Sequence, residues 1–201
     1  MKKDMRTVCD NMKTKRGEAA MKMYPLIVLI AIFLGGCSKP DMGRYLDNQP
    51  PLDLFTYFQG STTGYGMIQD RGGNMTRQFL VDIRGETSPE NMLVLNEYFD
   101  WSDGEKSTRV WTIKRDDDGL LIGTAADVHG EAVGMVSGNV LNWRYYLNID
   151  VDGRTWKISL DDWMYLQQDN VLINKTRMSK FGIHLGDITI VFKKNNNGGK
   201  S

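Results

Sequence analysis

A chain of 201 residues with 25 basic and 25 acidic side chains has a formal charge of zero, which leaves no electrostatic case for binding nucleic acid. The balance is uneven along the chain: residues 1–36 hold seven Lys/Arg and three Asp/Glu, so Cys37 onward keeps 18 basic and 22 acidic side chains, a net of −4. Its two cysteines, Cys9 and Cys37, exclude a disulfide-stapled scaffold if the leader is removed, and the 165 residues from Cys37 are enough for one domain with an ordinary core.

Residues 1–36 read as a secretory leader. A basic stretch ending at Lys22 precedes an apolar run from Tyr24 to Leu34, too short for a bilayer-spanning helix of about 20 residues. Met12 and Met21 are alternative starts within the long basic region. The run ends in Leu34-Gly35-Gly36-Cys37, which resembles the lipobox of bacterial lipoproteins. That resemblance implies a diacylglyceryl group on the Cys37 thiol, cleavage before Cys37 and acylation of the new amino group. Two or more acyl chains anchor a protein stably. Ser38, not Asp, follows the cysteine, so the analogy favours the outer membrane, facing the periplasm.

Residues 37–51 are polar and proline-containing, a tether from lipid to domain. Leu52 to Phe58 predicts one or two helical turns that pack Leu54, Phe55 and Phe58 on a barrel mouth. Period-2 alternation follows. Arg77, Phe79, Val81 and Ile83 share one face; Leu93, Leu95, Phe99 and Trp101 form another apolar face that Glu97 interrupts. Ser102-Asp103-Gly104 fits a three-residue hairpin loop, which sets Glu97 opposite Arg109 and Leu95 opposite Trp111. Asp116 to Gly119 makes the next turn, and continuing that pairing places Ala125 opposite Trp111 and Asp127 opposite Arg109.

After a turn at Gly130, one long strand is expected from Ala132 to Val151. Asp152-Gly153 is a hairpin signal that sets Ile149 against Trp156, Tyr145 against Leu160, Trp143 against Asp162 and Arg144 against Asp161, with Trp163 closing that end of the apolar face. Val171 to Arg177 and Ile188 to Lys193 supply the last strands, and 195–201 is a polar tail expected to be disordered. The fold class is all-β: a meander of 8–10 antiparallel strands over 52–194, closed into a lipocalin-like barrel. A two-sheet sandwich is the alternative.

The chemistry-bearing group is Glu97, Arg109 and Asp127 on an apolar face, where charge is costly unless paired. It suggests a polar anchor for the head of an apolar ligand such as a fatty acid or lipid, with Trp111, Trp143, Tyr145, Trp156 and Asp162 as further ligand-binding candidates. A structural salt-bridge network is the competing reading. Adjacent residues of a strand face opposite ways, so Asp161 and Asp162 cannot flank one bond. His129 and His184 lack partners at metal-ligand spacing, and there is no Gly-x-Ser-x-Gly elbow. Asn148 to Gly153 imitates a calcium loop, but Ser159 stands at its twelfth position, so it reads as a turn. No cofactor motif is visible. The expected partners are the membrane, through Cys37, and a small ligand. The residues favour a binding role over a lipid-modifying enzyme using Asp127 or Glu97, or an assembly lipoprotein with a protein partner.

Phe58-Gln59-Gly60, Leu95-Asn96-Glu97, Arg109-Val110-Trp111, Ala126-Asp127-Val128, Asp161-Asp162-Trp163-Met164 and Met178-Ser179-Lys180-Phe181-Gly182, in this order, make the chain from Leu52 to Lys193 similar to the DUF3833 family of bacterial lipoproteins. That resemblance implies an outer-membrane lipoprotein and brings no catalytic residues. A weaker likeness is to lipocalins, through the aromatic-x-Gly before the first strand and the succession of hairpins; fold alone does not give function.

Overall fold

Alternating burial along each segment closes the chain into one sheet. The computed structural model describes residues 41–151 and 153–195; the leader, Cys37 to Pro40 of the tether, Asp152 and the tail from 196 lie outside the described residues. Ten strands follow in order: β1 (Gly60–Asp70), β2 (Met75–Thr87), β3 (Leu93–Trp101), β4 (Lys106–Arg115), β5 (Leu121–Thr124), β6 (Ala132–Ser137), β7 (Val140–Val151), β8 (Arg154–Leu166), β9 (Val171–Lys180) and β10 (Ile183–Lys194). Each pairs antiparallel with the next, and β1 pairs with β10 from Thr62↔Lys194 to Asp70↔Gly186. The result is a closed antiparallel meander, which has no free edge.

The expected register of the central hairpins is observed. Glu97 faces Arg109, Leu95 faces Trp111, and Arg115 faces Leu121. Ile149 faces Trp156, Tyr145 faces Leu160, and Trp143 faces Asp162. Gly104, at φ +87, supplies the left-handed residue of the β3–β4 loop.

Three expectations on strand layout need correction. The run from Ala132 to Val151 is two strands, because Gly138-Asn139 forms a two-residue turn that joins Ser137 to Val140. The alternation continues through this turn in the sequence, which hides it. The last pair is also longer than Val171 to Arg177 and Ile188 to Lys193, since Phe181 (φ +51) and Gly182 (φ +78) make a tight turn between Lys180 and Ile183. The β4–β5 ladder stops at Thr112↔Thr124 instead of reaching Ala125 and Asp127. There the chain crosses to β7: the His129 amide donates to the Tyr146 carbonyl at 2.8 Å, and the Asn148 amide to the Asp127 carbonyl at 2.8 Å.

One end of the barrel is plugged by α1 (Leu54–Phe58), as the apolar Leu52 to Phe58 segment predicts. Its N-cap Asp53 accepts from the Thr56 amide at 2.8 Å and forms an ion pair with Arg115 at 2.7 Å. Phe58 meets Phe192 edge-on, and the Lys194 ammonium donates to the Tyr57 and Gln59 carbonyls, which ties the helix to β10. Leu93, Leu121, Leu141 and Leu172 are fully buried around this end. Outside it, Tyr45 of a 3-10 turn (Met42–Tyr45) covers Trp163 and Tyr165. Trp163 therefore lies under the N-terminal segment on the outer face and does not close the interior, because Asp162 beside it points inward.

Gly138 is needed twice over. It has φ +53, and a Cβ there would run into the Tyr45 carbonyl oxygen. Gly138→Ala should cost about 1–2 kcal/mol from the left-handed backbone alone and should loosen the 42–52 segment. Thermal melting together with limited proteolysis checks this; an unchanged melt and an uncut N-terminal segment would contradict it.

Candidate functional site

Above the plug the barrel is not filled. It encloses a cavity of about 240 Å³ whose wall has two chemically different arcs. The apolar arc comes from β10, β1, β2 and the outer half of β3, through Ile188, Ile190, Ile68, Phe79, Val81 and Phe99. The polar arc comes from β3, β4, the 125–131 segment and β7 to β9, through Glu97, Arg109, Asp127, Tyr145, Asp162 and Asn174.

Seven of the eight sequence-predicted residues line this cavity: Glu97, Arg109, Trp111, Asp127, Trp143, Tyr145 and Asp162. Trp156 does not. Its parity along β8 is right, but it lies beyond the barrel proper, 40% exposed, with the Lys180 ammonium 3.4 Å from its ring centroid. Asn174 and Thr176 were not anticipated. Both are buried and face inward from β9. Only the inward parity of even-numbered β9 residues could have found them.

The aromatic wall is assembled by close approach. Trp143 lies over Gly123 and Gly134, where any Cβ would collide with its ring, and it meets Trp111 edge-on at 5.7 Å. Trp111 in turn meets Tyr145 edge-on at 5.4 Å. The expected pairing of a small residue with a bulky one thus occurs at these two glycines and not at Ala125.

The charged residues form a graded series from solvent inward. Side-chain exposure falls from 37% at Asp127 to 24% at Arg109 and 13% at Glu97, and Asp162 is 4% exposed. Arg109 donates from Nε and Nη2 to Asp127 Oδ2 at 3.0 and 2.7 Å, a charge-assisted pair, while its Nη1 is 3.9 Å from Glu97 Oε2. Asp127 therefore reaches Arg109 as the register suggested, although from a crossover segment and not from a paired strand. Outside the barrel, Arg144 meets Asp161 at 3.0 Å, which leaves Asp162 alone to the interior.

Burial outweighs the pull of Arg109 on Glu97 and pushes its carboxyl up to about 7, with Asp127 and Asp162 adding repulsion. Burial also raises Asp162 to about 7, against the hydrogen bonds it accepts from Thr176 and Tyr145. Desolvation holds the Tyr145 phenol well above its ordinary value. Burial opposes the Arg109 charge, but Glu97, Tyr145 and Asp127 outweigh it, and the guanidinium is held above its ordinary value.

This has a consequence for stability. In the unfolded chain both carboxyls release their protons near pH 4, whereas the folded protein keeps them until about pH 7. The stabilisation is therefore complete below about pH 4 and is lost as pH rises through about 7, on the order of 3 kcal/mol for each group. The protein should melt higher at pH 5 than at pH 8, and Glu97→Gln should flatten that dependence. The depressed carboxyls Asp53, Asp70 and Asp103 titrate below this window. A melting temperature that rises from pH 5 to pH 8 would contradict the assignment.

Among the described residues no group of three or more His, Cys, Asp or Glu side chains is placed to hold a metal ion. A comparison with curated proteins finds no match. Among solved structures, the S-type phycobiliprotein lyase CPES from Guillardia theta is similar, with a TM-score of 0.54 at 10% identity over 79% of this chain and 100% of that one. At that identity the likeness is one of fold, a lipocalin-like barrel. The model of DUF3833, a family of proteins of unknown function, matches residues 31–194, and the chain belongs to that family.

Proposed function

We propose that the protein is a lipoprotein anchored through Cys37 at the periplasmic face of the outer membrane, and that its barrel binds a small, largely apolar ligand with a polar head. The observation that carries the binding role is the unfilled 240 Å³ interior, apolar on one arc and polar on the other. Small-molecule sites are concave, mostly apolar and provided with a few convergent polar groups. The similar solved barrel belongs to a protein named as a phycobiliprotein lyase. The lipid anchor rests on Leu34-Gly35-Gly36-Cys37, and the family match begins ahead of it at residue 31. On this reading 1–36 is removed, 37–51 is the tether and 52–194 is the binding domain.

Native mass spectrometry of the Ser38–Ser201 form, secreted without its lipid, tests the binding role. A reproducible co-purifying mass that disappears on organic extraction is expected. An apo mass that takes up no added amphiphile would point to a protein-binding role instead. Cys37→Ala should move the full chain from the membrane fraction to the soluble periplasm.

One observation favours a second reading, an envelope enzyme. Glu97 and Asp162 are held near pH 7, where a carboxyl serves as general acid or base. Turnover of lipid esters that is lost in Glu97→Gln would establish it.

A further inference from the structure

We infer that the barrel takes a ligand whose head is a protonated amine: an ammonium group on a short apolar body, seated among Glu97, Asp127, Asp162 and Asn174. The inference rests on the binding role proposed above and names its ligand class.

Among the described residues that line the cavity, the fully buried side-chain polar atoms without a partner are all oxygens of carboxyl or amide groups. Glu97 Oε2, Asp127 Oδ1, Asp162 Oδ1 and Asn174 Oδ1 are buried without a hydrogen-bond partner, and all four residues line the cavity. Buried acceptors without donors are costly, so a cluster of them calls for a partner. The neighbouring donors are mostly engaged. Arg109 gives Nε and Nη2 to Asp127, Asn174 Nδ2 is 3.4 Å from Thr176 Oγ1, and the Thr176 and Tyr145 hydroxyls serve Asp162. An ammonium head supplies three donors and no acceptor.

Charge leads to the same class. The lining holds three carboxylates, Glu97, Asp127 and Asp162, and a single cation, Arg109, with no Lys or His. A carboxylate head, as in a fatty acid, would find donors on Glu97 and Asp162 only while these keep their protons, and an arginine already paired with Asp127. A cation would instead hold Glu97 and Asp162 in their charged forms. A volume of about 240 Å³ lies below the roughly 300–1,000 Å³ of drug-sized sites, so the body is short.

The test uses three probes of equal chain length, octylamine, octanoate and octan-1-ol, titrated into the full chain in mild detergent and followed by the fluorescence of the cavity tryptophans. Octylamine is expected to bind about ten-fold or more tighter than either competitor, as charge-assisted hydrogen bonds in a desolvated site allow. Glu97→Gln and Asp162→Asn should each reduce that preference, and either variant suffices if the other fails to fold. Calorimetry at pH 6.5 in buffers of different ionisation heat should record proton release with octylamine. Octanoate binding as tightly as octylamine would overturn the amine head and leave the binding role intact. Binding of none of the three to a folded protein would remove the binding role and the inference with it.

Discussion

Trp143→Ala is expected to lower folding stability by about 4 kcal/mol, the middle of the range for removing a buried aromatic side chain. For a domain of this size that corresponds to roughly 8–16 °C in melting temperature. The reason is local and specific. The indole is the side chain nearest to Gly123 and Gly134, with Ile113 and Leu141 beside it, and it is a wall against which Trp111 packs edge-on. Alanine would join the resulting hole to the existing cavity. Denaturant unfolding should show a lower midpoint with an unchanged slope. A loss below about 1 kcal/mol would mean that the neighbouring strands close in and that the two glycines are not there for the indole.

Arg109→Met should cost about 2 kcal/mol at pH 8, less than removing one partner from a fully buried charge pair, because Arg109 and Asp127 are only partly buried. The methionine keeps most of the apolar stem but leaves Glu97 and Asp127 as uncompensated anions. At pH 5 Glu97 is protonated and needs no cation, so the loss should shrink there. Adding Glu97→Gln to Arg109→Met should recover part of the stability at pH 8. Equal losses at pH 5 and pH 8 would show that the arginine acts through packing and not through charge. Amine binding by Arg109→Met, where the variant folds, should be retained or strengthened, since the competing cation is gone.

How far the sequence spoke for this structure depended on the kind of signal. Turn chemistry and period-2 patterning located the β3–β4 and β7–β8 hairpins to the residue, so Glu97 could be set against Arg109 and Trp143 against Asp162 before any coordinates. Where a turn did not break the alternation, as at Gly138-Asn139, a strand boundary was invisible. Asp127 met Arg109 for a different reason than register implied: the backbone had left β4 for β7, and the side chains still converged because a 2.7 Å ion pair reaches across the corner. Trp156 was misplaced because strand parity specifies which way a side chain points but not how far along the strand the enclosure extends. Asn174 went unnoticed because nothing in the sequence of β9 separates it from the other residues of inward parity. The acceptor excess of the interior depends on which donors are already used, which only three-dimensional neighbours reveal.

Both ends of the described chain meet the barrel at the plugged side. Tyr45 packs beside Trp163, the Leu52 amide donates to the Gly138 carbonyl at 2.8 Å, and Lys194 ends β10 against the Tyr57 carbonyl. Whatever precedes Met42 or follows Asn195 is therefore joined to the domain at its floor. In the proposed lipoprotein the attachment would be made at the plugged end of the described barrel, opposite the β3–β4 and β7–β8 turns. Cargo could then load and leave while the domain stays fastened, with no step in which the attachment must let go.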